Sequence, residues 1–209
     1  MGEEQEKTDF HPTGEVREKY TLKDGKVHGI VSSYAPGGEL LSTAEFANGV
    51  LNGEAITYGL DGGITQKANF HAAKLEGEML IFAAGKPHMK AIYKDGKQEG
   101  ETVFYDAAGA ITAKAIYKAG KLHGTSSWFA PNGQLVKTAM YGNGLLNGPT
   151  TEYFPNGKTR IASLYKDDLL HGEMRTYADD GKLKESVHYR DGKAVPPPSK
   201  AAPAATKRK

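Results

Sequence analysis

Cysteine is absent from the 209-residue chain, which excludes disulfides, thiolate nucleophiles and cysteine-ligated zinc while leaving the redox compartment open. Apolar residues are scarce, 38% of the chain against a usual ~45–50%, so a single thick core is not expected. No apolar run approaches the ~18–20 residues of a membrane span. The first residues, MGEEQEKTDF, are acidic where a secretory leader is basic and then apolar. Glu6 stands where an N-myristoylation motif needs Ser or Thr. A soluble, cytoplasmic chain is expected. An excess of one charge is also lacking: 27 basic and 25 acidic residues leave a net +2, which is not the signature of a nucleic-acid binder.

What the chain has in quantity is glycine, 26 residues spread evenly along it. Their order is periodic. Aromatic residues return at Phe46, Phe70, Tyr93, Tyr117, Tyr141, Tyr165 and Tyr189, every 24 residues except for 23 between Phe70 and Tyr93, with Leu22 in the same place at the start. A second aromatic lies midway in each unit: Tyr34, Tyr58, Phe82, Tyr105, Phe129, Tyr153 and Tyr177. Seven residues after each leading position from Leu22 to Tyr165 stands a glycine, at Gly29, Gly53, Gly77, Gly100, Gly124, Gly148 and Gly172. Such regularity is the mark of a repeat architecture. Ala73 and Asp168, where other units have glycine, and the short turn Ala83-Ala84-Gly85 depart from the pattern.

Each half-unit reads as one strand and one turn. In Phe154-Pro155-Asn156-Gly157 the proline presets φ and the glycine supplies the left-handed residue of a type I turn with a bulge. Asp-Gly in Tyr93-Lys94-Asp95-Gly96 is read in the same way. About seven residues separate turns, a strand's length, and such short links force antiparallel neighbours. The expected fold is all-β: an elongated, twisted, single antiparallel meander of ~24-residue hairpins over residues 10–193. Residues 1–9 are expected to be a flexible N-terminus and the Pro/Ala/Lys-rich residues 194–209 a disordered tail. Alternation of side chains places Tyr34, Leu40, Ala44, Phe46, Ile56 and Tyr58 on one face, and likewise Val103, Tyr105, Ile111, Ala115 and Tyr117. Both aromatic ladders then share that face. Tyr93, Tyr117, Tyr141 and Tyr165, with the seven glycines, are the structural residues of the repeat.

No catalytic chemistry is legible. Carboxylates are scattered, and there is no nucleophile elbow or phosphate-cradling loop, so neither an enzyme nor a cofactor is expected. His28, His123 and His171 recur at one repeat position, two of them ~20 Å apart along the sheet, too far to share a metal ion. Asn52, Glu76, Glu99 and Asn147 fill the same column, as polar groups bonding a turn would.

The pattern Y-x-x-G-x-x-x-G followed by Y-x-x-x-G, from roughly Phe10 to Gly192, resembles the MORN repeat in its variant form, and is similar to the YwqK-type antitoxin family. The resemblance implies a twisted antiparallel sheet in a bacterial protein. It also implies a toxin-neutralising role through a protein partner, a cognate toxin. The wider group implies an alternative, a structural or membrane-associated scaffold touching lipid, for which Lys94, Lys97, Lys118 and Lys121 form a basic row at the turns.

The candidate partner site is an irregularity. Ile81, Phe104 and Trp128, the last being the only tryptophan, fall in one column of the second face. Met79, Ile92, Ile116, Met140 and Leu164 are expected in neighbouring columns of that face, and Leu51, Leu75, Leu122, Leu146 and Leu170 over it near the turns. Two readings stand: the stripe is partly core in a curled or self-associated sheet, or it is an exposed interface rich in the residues that dominate hot spots.

Overall fold

A computed structural model describes residues 3–196. They form one antiparallel sheet of twenty strand segments, with no helix among the described residues. Successive strands pair in chain order, from Glu4–Phe10 against Val16–Lys23 to Leu183–Arg190 against Lys193–Val195. Three two-residue segments, Lys97–Gln98, Lys121–Leu122 and Leu169–Leu170, are the opening residues of strands that resume one residue later. The sheet therefore begins at Glu4, not at Phe10: residues expected to precede the array form its first strand. Strand structure also runs to Val195. The tail expected over 194–209 lies, from residue 197 onward, outside the described residues.

Two turn types alternate. The loops of the Pro-Asn-Gly kind close as expected: Gly157 N–H donates to Phe154 C=O at 2.8 Å, Phe154 N–H to Lys158 C=O at 2.8 Å, and Gly157 has φ +79°. The Asp-Gly links differ from the expectation. Both central residues are left-handed, as at Asp95 (φ 51°) and Gly96 (φ 77°), which is the two-residue type I′ turn whose twist matches that of the strands. In the short unit one residue is missing, and a type I′ turn at Ala84 and Gly85 replaces the longer loop.

A bulge decides which residues share a face. Ala44 pairs with Ala55 and Phe46 with Leu51, so two residues on one strand span four on the next. The same step recurs at Ala68–Phe70 and Ala139–Tyr141. The seventh-position glycine sits inside it with positive φ, 134° at Gly53 and 82° at Gly100. That glycine also lies opposite the next leading aromatic, as Gly53 does with Phe70 and Gly100 with Tyr117. A second bulge, one residue against two, precedes each longer loop; Phe104 faces Ala113 but Tyr105 faces Ile111.

These bulges overturn the expected face assignment. Ala115 shares a face with Thr102 and Tyr117, whereas Val103 pairs with Lys114 and Lys90 on the other. Ile56 pairs with Thr43 and Lys67, away from Ala44. The leading aromatics therefore line one face, here the front, and the midway aromatics the reverse. The Lys19 ammonium, on the reverse through its pairs Thr8 and Ser32, sits 5.9 Å from the Tyr34 ring. Ile111 goes with Tyr105. Leu51, Leu75, Leu122, Leu146 and Leu170 pair with leading aromatics and belong to the front.

The core is a line rather than a volume. Buried residues are Ala68, Ala91, Thr102, Ala115, Ser126, Ala139, Thr150 and Ser163, one column of the front face, plus Ala35 and Val103. Leading aromatics flank that column on one side, two residues away. The accessible surface of 13505 Å² exceeds the roughly 9,500 Å² of a globular chain of this mass, as a single layer requires.

Candidate binding surface

On the other side of the buried column the register brings the candidate residues together. Ile81 pairs with Met89, Met89 with Phe104, Phe104 with Ala113, and Ala113 with Trp128. The three residues named from the sequence thus lie in one column, with Met89 and Ala113 filling the gaps. Those two escaped the sequence reading because they lie on the intervening strands, whose phase depends on the bulges. The stripe spans five strands, ~19 Å at a strand spacing of ~4.8 Å. Its side chains are half-buried. Their cover comes from neighbours in the same layer, since no described residues form a second layer above them.

Polar residues bound the stripe. Gln66 and Thr57 continue the column on one side, Lys137 and Glu152 on the other. The Lys137 ammonium lies 5.5 Å from the Trp128 ring centroid, a cation–π distance that holds the indole at the stripe's end. The face carrying the stripe also carries the leading aromatics and Met79. Ile92, Ile116, Met140 and Leu164, expected beside it, project from the reverse face, paired with Glu78, Glu101, Thr125 and Pro149. The parity change at each bulge is the reason.

The reverse face is charged and grooved. Glu54–Lys67, Glu78–Lys90 and Glu101–Lys114 form ion pairs at equivalent places in three units. Hydrogen bonding to Glu78, followed by its charge, raises the Lys90 pKa above its usual value. A hollow of about 270 Å³ is lined by Glu78, Leu80, Pro87, Lys90, Tyr105 and Gly109 beside the shortened turn. Farther along, the Arg175 guanidinium and then the Ser186 hydroxyl hold the Glu173 carboxylate down to about 2. These are exposed ionic contacts with no convergent acid and base.

The column holding the three histidines has a different task. Asn52 Oδ1 accepts from Ala72 N–H at 3.2 Å, Glu76 from Asp95 N–H at 2.8 Å, and Glu99 from Ala119 N–H at 2.8 Å. His171 Nδ1 lies 3.1 Å from the Asp191 carboxylate. Each of these four side chains ties its strand to the type I′ turn of the next unit, whereas His28 Nδ1 is buried without a partner; turn amides also bond back, as Gly120 N–H does to Gln98 C=O at 2.9 Å. No group of three or more His, Cys, Asp or Glu side chains converges as a metal site among the described residues.

Three consecutive stretches, residues 122–143, 146–167 and 170–191, match the MORN repeat variant family. No curated protein matches the chain. Among solved structures it is similar to a chain of a GtfA/B complex bound to UDP and GlcNAc, at 12% identity over 52% of this chain and 22% of that one, TM-score 0.26. It is also similar to a chain of a TcdB2-TccC3-Cdc42 complex, at 10% identity over 91% of this chain and 13% of that one, TM-score 0.26. The chain spans less than a quarter of the length of either of those chains.

Proposed function

We propose that these MORN-variant repeats form a non-catalytic binding scaffold that seats a protein partner on the central front-face stripe. The observation that carries this reading is the break in periodicity. The same column is Ser42, Thr57 and Gln66 on one side and Lys137 and Glu152 on the other, with Ile161 a lone apolar residue beyond, yet it is apolar without interruption from Ile81 to Trp128. Folding requirements recur in every unit; this stripe does not, so the repeat does not account for it. A bounded apolar patch with a single tryptophan and a polar rim has the anatomy of a hot-spot cluster.

The finer reading is that the partner is a toxin and the chain its antitoxin or immunity protein. Phe104→Ala and Trp128→Ala are each expected to weaken partner binding by about 2 kcal/mol or more, roughly thirtyfold in Kd. Co-purification with the product of the adjacent gene tests it, together with growth rescue when that product is expressed. Undiminished recovery by both variants removes the stripe from the argument, and absence of rescue removes the antitoxin role.

A second reading, a membrane-associated scaffold, draws on Lys94, Lys97, Lys118 and Lys121. They flank successive type I′ turns and are all exposed. Sedimentation with vesicles rich in phosphatidylserine decides it: pelleting that salt reverses supports lipid contact, and a protein left in the supernatant refutes it.

A further inference from the structure

The two ends of the sheet carry parts of the same repeat strand, overlapping where Glu4 and Val195 both match His171. At the far end Arg190, Tyr189 and His188 pair with Lys193, Ala194 and Val195. This repeats, one unit on, the pairing of Lys166 and Tyr165 with Leu169 and Leu170. In the earlier unit the strand resumes as Gly172–Tyr177. In the later one its place in the sequence is taken by Pro196, Pro197 and Pro198, residues without an N–H to donate. Among the described residues the outer edge of Leu183–Val187 is unpaired. At the near end the strand Glu4–Phe10 pairs with Val16–Lys23 alone. Phe10 occupies the midway-aromatic position of Tyr177, so Gln5–Phe10 corresponds in phase and length to Gly172–Tyr177.

We infer that the Gln5–Phe10 strand of a second copy docks on the Leu183–Val187 edge, completes the interrupted repeat and joins copies head to tail. Strand addition to an open edge supplies backbone hydrogen bonds, and register follows from the repeat. Ile161 pairs with Thr176 and Ala162 with Arg175, so one unit on Ser186 meets Thr8, and Glu185 meets Asp9, of the second copy. Charge favours the direction. Glu3, Glu4, Glu6 and Asp9 accompany a single lysine, Lys7, at one end; Lys182, Lys184, Arg190 and Lys193 outnumber Glu185 and Asp191 at the other. The opposed Glu185 and Asp9 are the one unfavourable pair. Asp9 already faces Glu18 within the chain, with the Arg17 guanidinium 3.3 Å from its carboxylate. A contact of this heterologous kind does not close on itself and builds open rows.

The absence of cysteine makes the register directly testable. Thr8 and Ser186 are exposed and lie at opposite ends of the sheet, roughly 70 Å apart at ~4.8 Å per strand, so no disulfide can join them within one copy. In the Thr8→Cys/Ser186→Cys variant, mild oxidation is expected to give covalent dimers and longer oligomers, and a mixture of the two single variants to give the heterodimer. A double variant that forms no more oligomer than either single variant overturns the inference. Sedimentation velocity on the unsubstituted chain needs no variant. Its average mass is expected to rise above 22.5 kDa with concentration and to fall with salt, and Glu185→Lys is expected to strengthen the rise. A mass constant at every concentration, or no gain from Glu185→Lys, overturns it as well.

Discussion

Replacing Ala72-Ala73 by Asn-Gly should stabilise the protein, and the same logic forbids the gain at the other glycine-free turn. Both alanines sit in the left-handed region, at φ 48° and 61°, where a Cβ crowds the following carbonyl and costs about 1–2 kcal/mol per residue. Glycine at position 73 removes that penalty but adds unfolded-state entropy of roughly 0.5–1 kcal/mol. Asparagine at 72 tolerates the conformation better than alanine. The net expectation is about 1 kcal/mol, or ~2–4 °C in Tm for a chain of this size. Both turn hydrogen bonds survive, since Ala73 N–H to Leu51 C=O and Ala72 N–H to Asn52 Oδ1 use the backbone. Asp168 is also left-handed, at φ 67°, but its carboxylate accepts from Leu146 N–H at 2.6 Å. Asp168→Gly therefore exchanges strain for a lost charge-assisted bond and should leave stability unchanged or lower. Urea unfolding followed by Trp128 fluorescence and by circular dichroism reads both variants. An Asn-Gly variant no more stable than the parent, or an Asp168→Gly variant that gains as much, would refute the strain argument.

Gly100→Ala should destabilise by about 1–2 kcal/mol in the same assay, because φ there is +82° and the penalty is the left-handed one; a neutral result would mean the bulge relaxes. Ser126→Ala should raise stability by about 1 kcal/mol: its hydroxyl is buried without a partner, such a group costs about 1–3 kcal/mol, and Ala68, Ala91 and Ala139 already fill the same column. A loss of stability would point to an unseen partner for that hydroxyl. The Glu173 side chain should titrate near 2, well below 4.5, and Arg175→Ala should return it toward 4.5 because the Arg175 contact is the leading cause. Its folded pKa is depressed, so the stability it contributes is present above about 4.5 and lost as pH falls toward 2. Carboxyl-carbon NMR titration checks this, and a midpoint near 4.5 in the parent chain would refute the contact.

What the sequence by itself determined was everything that repeats. The 24-residue period, the antiparallel meander, the turn positions and the column of Ile81, Phe104 and Trp128 were all legible. Equivalent positions in successive units share a face and a column whatever the register within a unit, because any error in phase cancels between them. Met89 and Ala113 lie on the opposite kind of strand, so that cancellation did not reach them. The relation between the two strands of a unit was decided only by the tertiary structure. Bulges at Gly53 and its equivalents, and a further extra residue such as Thr112 before Ala113, break the two-residue alternation. One residue of slip moves a whole strand's side chains across the sheet. That is why Tyr105 and Tyr117 lie on opposite faces, and why Ile92 and Ile116 back the charged side while the stripe they were expected to widen stays narrow.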